Sequence, residues 1–249
     1  MTIDPRLTER RREVAEDRAR RNVSRLVKFL IAFGVLGAVV WLFLSPWLSV
    51  ASVTATGIEA STAATILGEQ GVVAGTPMIL IRSGLVEDAL ERDPWVRRSD
   101  VELDWPQTVL VRVEERSPVA WVETDEGWGL YAVDGVRLTT ATEPDPTMPW
   151  VQIGAVDPTA AEPPAALLGA LDFAAHLSEE LQAGAKLRTE PTDSGGELWA
   201  EVAGYQVRLG RPVEMREKAL SLAALIREQP PAGSVLTVIA PTNPAISPS

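Results

Sequence analysis

Phe29 to Leu44 reads FLIAFGVLGAVVWLFL, with no charged or strongly polar side chain. As a helix it covers roughly 24 Å, a little short of the ~30 Å hydrocarbon core of a bilayer. Leu26 and Val27 extend the run past Lys28, whose amine can snorkel back to the headgroups. Trp47 and Leu48 extend it the other way, and Trp41 and Trp47 are suited to the membrane–water interface. The stretch predicts one transmembrane helix within 29–48, ended by Pro46.

Charge orients it. Residues 1–28 carry nine Lys/Arg against five Asp/Glu, and no Lys or Arg occurs from Ser45 to Ile81. The positive-inside rule makes the amino terminus cytoplasmic and the remainder extracytoplasmic, a type II single-pass arrangement. The rival is a cleaved signal peptide, for which Ser49-Val50-Ala51 is a passable cleavage site. A basic arm of nearly thirty residues with interspersed acids is a poor leader and favours the anchor.

The chain has a formal charge of −11, and all of that excess lies beyond the span. An acidic exterior disfavours nucleic acid as a partner. The arginine clusters at 10–12 and 18–21 fix topology or touch anionic cytoplasmic lipid. There is no cysteine, which removes disulfides, thiol nucleophiles and zinc fingers. The single histidine, His176, falls in a helical run and reads as a surface residue. No metal, cofactor or small-molecule substrate is expected.

About two hundred residues after the span are enough for two small domains. Val50–Ile58 reads as a strand closed by Gly57, and helices follow from Ser61-Thr62 and from Ser83 to Arg92. Strands Val96–Trp105 and Thr108–Glu115 turn at Pro106-Gln107, completing β-α-α-β-β. Beyond 118 the strands predominate. A meander turns at Asp134-Gly135, helices are predicted over Ala165–Leu181 and Val213–Arg227, and a last strand runs Ser234–Ala240. The expected bounds are an arm at 1–28, the span at 29–48, a first domain at 49–117, a second at 118–240 and a disordered tail at 241–249.

Pro94-Trp95-Val96, Trp105-Pro106, and the run from Val113 through Arg116-Ser117-Pro118 to Trp121 occur in that order. They are followed by Asp134-Gly135, Leu187-Arg188, Val207 to Arg211, Glu217-Lys218 and Ala240 to Asn243-Pro244. Together, behind a basic arm and one span, these resemble the bacterial division family FtsQ/DivIB, actinobacterial members in particular. The resemblance implies an α+β chain: a transmembrane helix, a POTRA domain, then a mixed, mostly antiparallel β domain with two helices. It implies a non-enzymatic scaffold at the division septum that binds FtsB (DivIC)-like and FtsL-like membrane proteins and regulates septal peptidoglycan synthases. It also implies that the partner adds a strand to the edge formed by Val235, Leu236, Thr237, Val238 and Ile239. An edge strand with unpaired backbone groups makes that chemistry reasonable, and Val238→Pro is then expected to block binding. Thr237 stands where the family often has an acid, and the aromatic common near Ala240 is absent.

Two other readings compete. An envelope hydrolase would need paired acids, but Glu114/Glu115 and Asp125/Glu126 are adjacent, and neighbouring strand residues point to opposite faces. A POTRA-type export component would need a membrane barrel, for which no barrel-length strands exist. In the span, Gly34, Gly37 and Ala38 form a small-residue patch fit to pack against another helix.

Overall fold

The computed structural model describes residues 25–154, 162–190 and 197–248. The basic arm up to residue 24 lies outside them. Helix α1, Arg25–Phe43, is long and apolar enough to cross a membrane. It stops before Pro46 because Ser45, preceding a proline, is extended at φ −77°, ψ 155°. The Ser45 hydroxyl donates to the carbonyl of Leu42 at 2.7 Å, covering one of the orphan carbonyls of the last turn.

The chain beyond α1 divides into two compact units, with Asp93–Arg97, at the start of β2, packing with the second. In the first, β1 (Ser52–Thr56), α2 (Ala60–Glu69), α3 (Ser83–Leu90), β2 (Val96–Asp104) and β3 (Thr108–Glu115) follow the β-α-α-β-β order read from the sequence. The sheet order is β1-β3-β2, with β1 parallel to β3 and Ser52 opposite Thr108. Alternation sends Val109, Val111 and Val101 inward against Leu67, Val86 and Leu90 of the two helices. Gly57 sits at φ +78°, and a Cβ there would lie 1.9 Å from the carbonyl oxygen of Val113. Only glycine fits that end of β1.

The second unit holds β4 (Pro118–Thr124), β5 (Gly127–Ala132), β6 (Arg137–Ala141), β7 (Trp150–Gln152), α4 (Ala165–Ala175), α5 (Glu179–Gln182), β8 (Lys186–Glu190), β9 (Glu197–Val202), β10 (Tyr205–Gly210), α6 (Met215–Arg227), β11 (Val235–Thr237) and β12 (Ala245–Ser247). Its sheet runs β12-β11-β10-β9-β8-β7-β4-β5-β6. Two long helices, α4 and α6, cover one face. Leu167, Leu171 and Phe173 of α4 and Met215, Ala219 and Leu222 of α6 meet Leu187, Leu198, Val207 and Leu236 of the strands. The helix predicted over Ala165–Leu181 breaks at His176, the C-cap of α4, and restarts as the single turn α5. The Gln182 amide donates to the carbonyls of Ala174 and Leu177, satisfying the ends exposed by the break.

Two side chains pin this unit. Arg116 donates to the carbonyls of Pro94 and Val96 and pairs with Asp134 at 2.8 Å, joining three of the quoted sequence motifs through one guanidinium. Lys218 of α6 is fully buried and donates to the carbonyls of Leu209 and Arg211, each at 2.8 Å, at the end of β10. Burial holds its ammonium below the ordinary value of 10.5.

Lys218→Met removes both donors and strands two carbonyls, so urea denaturation is expected to show a loss of about 2–4 kcal/mol. The unfolded chain keeps its Lys218 proton to higher pH than the folded one. Stability of the parent therefore rises as pH climbs from the lowered folded value to 10.5, and the Met variant lacks that increment.

Candidate functional site

The carboxyl-terminal end of the nine-stranded sheet is where the sequence places a site. β11 runs parallel to β10, with Gln206, Val207 and Arg208 opposite Val235, Leu236 and Thr237. A parallel neighbour needs a crossover, and α6 provides it. Leu236 and Val238 are fully buried in the core, Val235 and Thr237 are half-buried on the other face, and Ile239 lies over Gly210. Gly210 is at φ +71°, and a Cβ there would sit 3.1 Å from the Ile239 side chain.

Val235–Ile239 is not an open margin. On its far side β11 pairs antiparallel with β12: Val235 faces Ser247, Leu236 faces Ile246, and Thr237 faces Ala245. The tail expected to be disordered from 241 therefore supplies the outermost strand. The chain reverses through Ala240–Pro244, where the Asn243 amide donates to the carbonyl of Ala240 at 3.0 Å. The Ser221 hydroxyl of α6 donates to the carbonyl of Pro241 at 2.7 Å and holds that turn against the helix. A single apolar residue, Ile246, among Pro, Asn and Ser gave too little pattern to mark a strand.

The amide directions follow from one bond. The Val238 amide donates to the carbonyl of Arg208 on β10. Strand amides alternate in direction, so Leu236 also points to β10 while Val235 and Thr237 point to β12. Their partners Ser247 and Ala245 point back, which leaves Ile246 facing outward. Pro244 and Pro248 flank it and have no N–H. The open margin thus offers one amide donor, Ile246, in a strand exposed along its length.

The solvent-side face beside this margin carries residues the sequence reading did not single out as a group. Arg208, Trp199 and Arg188 stand opposite one another on β10, β9 and β8. The two guanidinium carbons lie 5.8 and 5.9 Å from the Trp199 ring centroid, within cation–π range. Glu197 pairs with Arg208 at 2.7 Å, and Arg188 reaches Glu190 and Gln206. In the adjoining row Lys186 lies 5.7 Å from the Trp150 ring, which packs on Trp128. The alternation of Lys186 and Arg188 around buried Leu187, and of Trp199 between buried Leu198 and Ala200, is the signal that points to this face.

Among the described residues no group of three or more His, Asp or Glu gathers as a metal site would require. His176 is a surface residue whose Nδ1 lies 2.8 Å from the carbonyl of Asp172. A cleft of about 330 Å³ in the first unit is lined by Thr76, Leu80, Arg82 and Leu85 among others, with no carboxylate in it. The span residues Gly34 and Gly37 have nothing within 4 Å of where a Cβ would stand.

Val238→Pro deletes a hydrogen bond of the sheet's own ladder in a fully buried position. It is expected to unfold the second unit, with loss of its cooperative denaturation transition, so it cannot serve as a selective block of binding.

Known proteins resemble this chain in sequence. Residues 48–116 match the family model described as a POTRA domain, FtsQ-type. The cell division protein FtsQ of Mycobacterium leprae is 28% identical over 220 residues, covering 88% of this chain and 61% of the relative. FtsQ of Streptomyces griseus is 28% identical over 222 residues, 82% of this chain and 100% of the relative. FtsQ of Streptomyces coelicolor is 27% identical over 209 residues, 80% and 78% of the two chains. The chain thus spans about three-fifths of the mycobacterial protein and the whole of one streptomycete protein.

Proposed function

We propose that this chain, similar over most of its length to the FtsQ cell division proteins of actinobacteria, belongs to that family and is a non-enzymatic scaffold of the division septum. It is held by α1 in the cell membrane, with the amino terminus cytoplasmic and both units outside. It binds FtsB (DivIC)-like and FtsL-like single-span proteins and through them regulates septal peptidoglycan synthases.

The observation that carries this reading is the unfinished end of the sheet. A strand laid along β12 completes the ladder that the chain leaves open there. The receiving residues are Ala245–Ser247, one strand outward from the expected Val235–Ile239, with Val235 and Thr237 on the adjoining face. Magnitude decides how such a partner must bind. About two or three added hydrogen bonds, at about 1 kcal/mol each, give an affinity weaker than millimolar. The rest has to come from side-chain contact with the neighbouring face, where Thr237 and Arg208 lie in register.

Ile246→Pro removes the one outward donor and leaves the inward pairs of Ala245 and Ser247 in place. Co-purification of the FtsB-like partner with the full-length variant is expected to fall at least tenfold, with the denaturation midpoint unchanged. Full recovery of partner would contradict strand addition at this margin. In α1, Gly34, Gly37 and Ala38 offer a close-packing patch to a partner's span. Gly34→Ile is expected to lower recovery of the FtsL-like partner several-fold in the same measurement, and equal recovery retires that contact.

A further inference from the structure

Two loops of the first unit are tied to the segment that leaves α1. Only five residues separate Phe43, the end of α1, from Ser49, and three of them form a tight 3₁₀ turn, Pro46–Leu48. The six Cα-to-Cα steps from Phe43 to Ser49 reach no more than about 20 Å even when fully extended. Ser49 bridges to Pro77, the Val50 amide donates to the carbonyl of Thr76 at 2.8 Å, and the Gly75 amide returns to the carbonyl of Val50 at 2.8 Å. The Ala51 amide donates to the carbonyl of Gln107 at 2.8 Å, the Gln107 amide group donates to the carbonyl of Pro46, and Trp105 packs edge-on against Phe43. The loops at 71–81 and 105–107 therefore stand within one short tether of the point where the span ends.

This end of the unit differs from the rest of an acidic protein. Residues 29–58 and 70–81 contain no charged side chain. The 3₁₀ turn Met78–Leu80 buries Met78 completely and turns Ile79 and Leu80 outward, Leu80 62% exposed. Val73 and Trp105 are exposed beside the same tether, and Trp47, within it, is 79% exposed. The opposite end, where Gly57 meets Val113, carries Glu59, Glu114 and Glu115.

We propose that this uncharged end is a membrane-docking surface, whose occupant is the headgroup–acyl boundary of the leaflet from which α1 emerges. Burying residues 70–81 there desolvates no charge of their own, the bordering Arg82 and Asp104 can stay at the level of the headgroups, and indoles are the side chains that favour that boundary. The tether confines the surface to the bilayer's vicinity, so lipid is always within reach and a diffusing protein partner has to compete with it. The docked domain stands on the membrane with its acidic end raised, rather than swinging freely on a stalk. The inference rests on the reading of α1 as a span, and the test separates the two.

The chain has no cysteine, so single introduced cysteines can be spin-labelled uniquely in the full-length protein. Leu80→Cys and Val73→Cys report the docking end, and Ser61→Cys in the exposed first turn of α2 reports the far end. Val35→Cys reports α1. Each is reconstituted into phosphatidylcholine–phosphatidylglycerol vesicles, and collision with lipid-soluble oxygen is compared with collision with a water-soluble nickel chelate. The oxygen-to-nickel ratio at Leu80 and Val73 is expected to exceed that at Ser61 by at least threefold, approaching the value at Val35. Equal ratios at Leu80, Val73 and Ser61, with Val35 immersed, would overturn the docking surface and leave the span intact. Protection of Leu80 and Val73 from both reagents would mean a protein contact and would overturn it too. A water-accessible Val35 would remove the span and the inference together.

Discussion

Every buried backbone amide and carbonyl of a sheet has to find a partner, and that requirement organises the second unit from one end to the other. Strands β4 to β11 each have neighbours on both sides or, at the far end, a hairpin partner in the β5–β6 meander. The ladder then runs out at a strand of three residues. A long bare β11, apolar and β-branched, would be an aggregation template. The chain folds its own tail over that strand and places prolines at 244 and 248 on either side of the single outward amide. An edge built this way resists indiscriminate pairing while leaving one amide of β12 turned outward.

The same requirement explains the residues that carry the likeness to FtsQ proteins. Arg116 and Lys218 are each spent on backbone carbonyls, those of Pro94 and Val96 in one case and of Leu209 and Arg211 in the other. Neither is presented to a partner. The quoted Arg-Ser-Pro, Asp-Gly and Glu-Lys motifs thus mark how the chain is held together, and the partner surface proposed above is assembled from less distinctive positions such as Trp199, Thr237 and Ile246.

Patterns with a strong period were legible in the sequence. Alternating Val109, Val111 and Val113 fixed one strand, the uninterrupted run from Phe29 fixed α1, and Gly57 and Asp134-Gly135 fixed turns. Two features were not legible. The break after Ala175 depends on Gln182 reaching back to Ala174 and Leu177, a tertiary contact with no local signature. β12 depends on a ladder already laid down by β11 and on Ser221 holding the turn, so its three residues carry almost no pattern of their own. The open margin expected of Val235–Ile239 was misjudged for that reason: the stretch has the composition of a sheet edge, and only the returning tail shows that Val235–Thr237 is paired on both sides.

The central claim is that β11 is interior and that Ile246 holds the one outward amide. Hydrogen exchange of assigned amides in the full-length protein tests it most directly. The structure requires Val235, Leu236 and Thr237 all to be protected, with Ile246 exchanging at the rate of an open strand. Fast exchange at Val235 and Thr237 beside a slow Leu236 would mean that β11 itself is the bare edge, and would contradict the account.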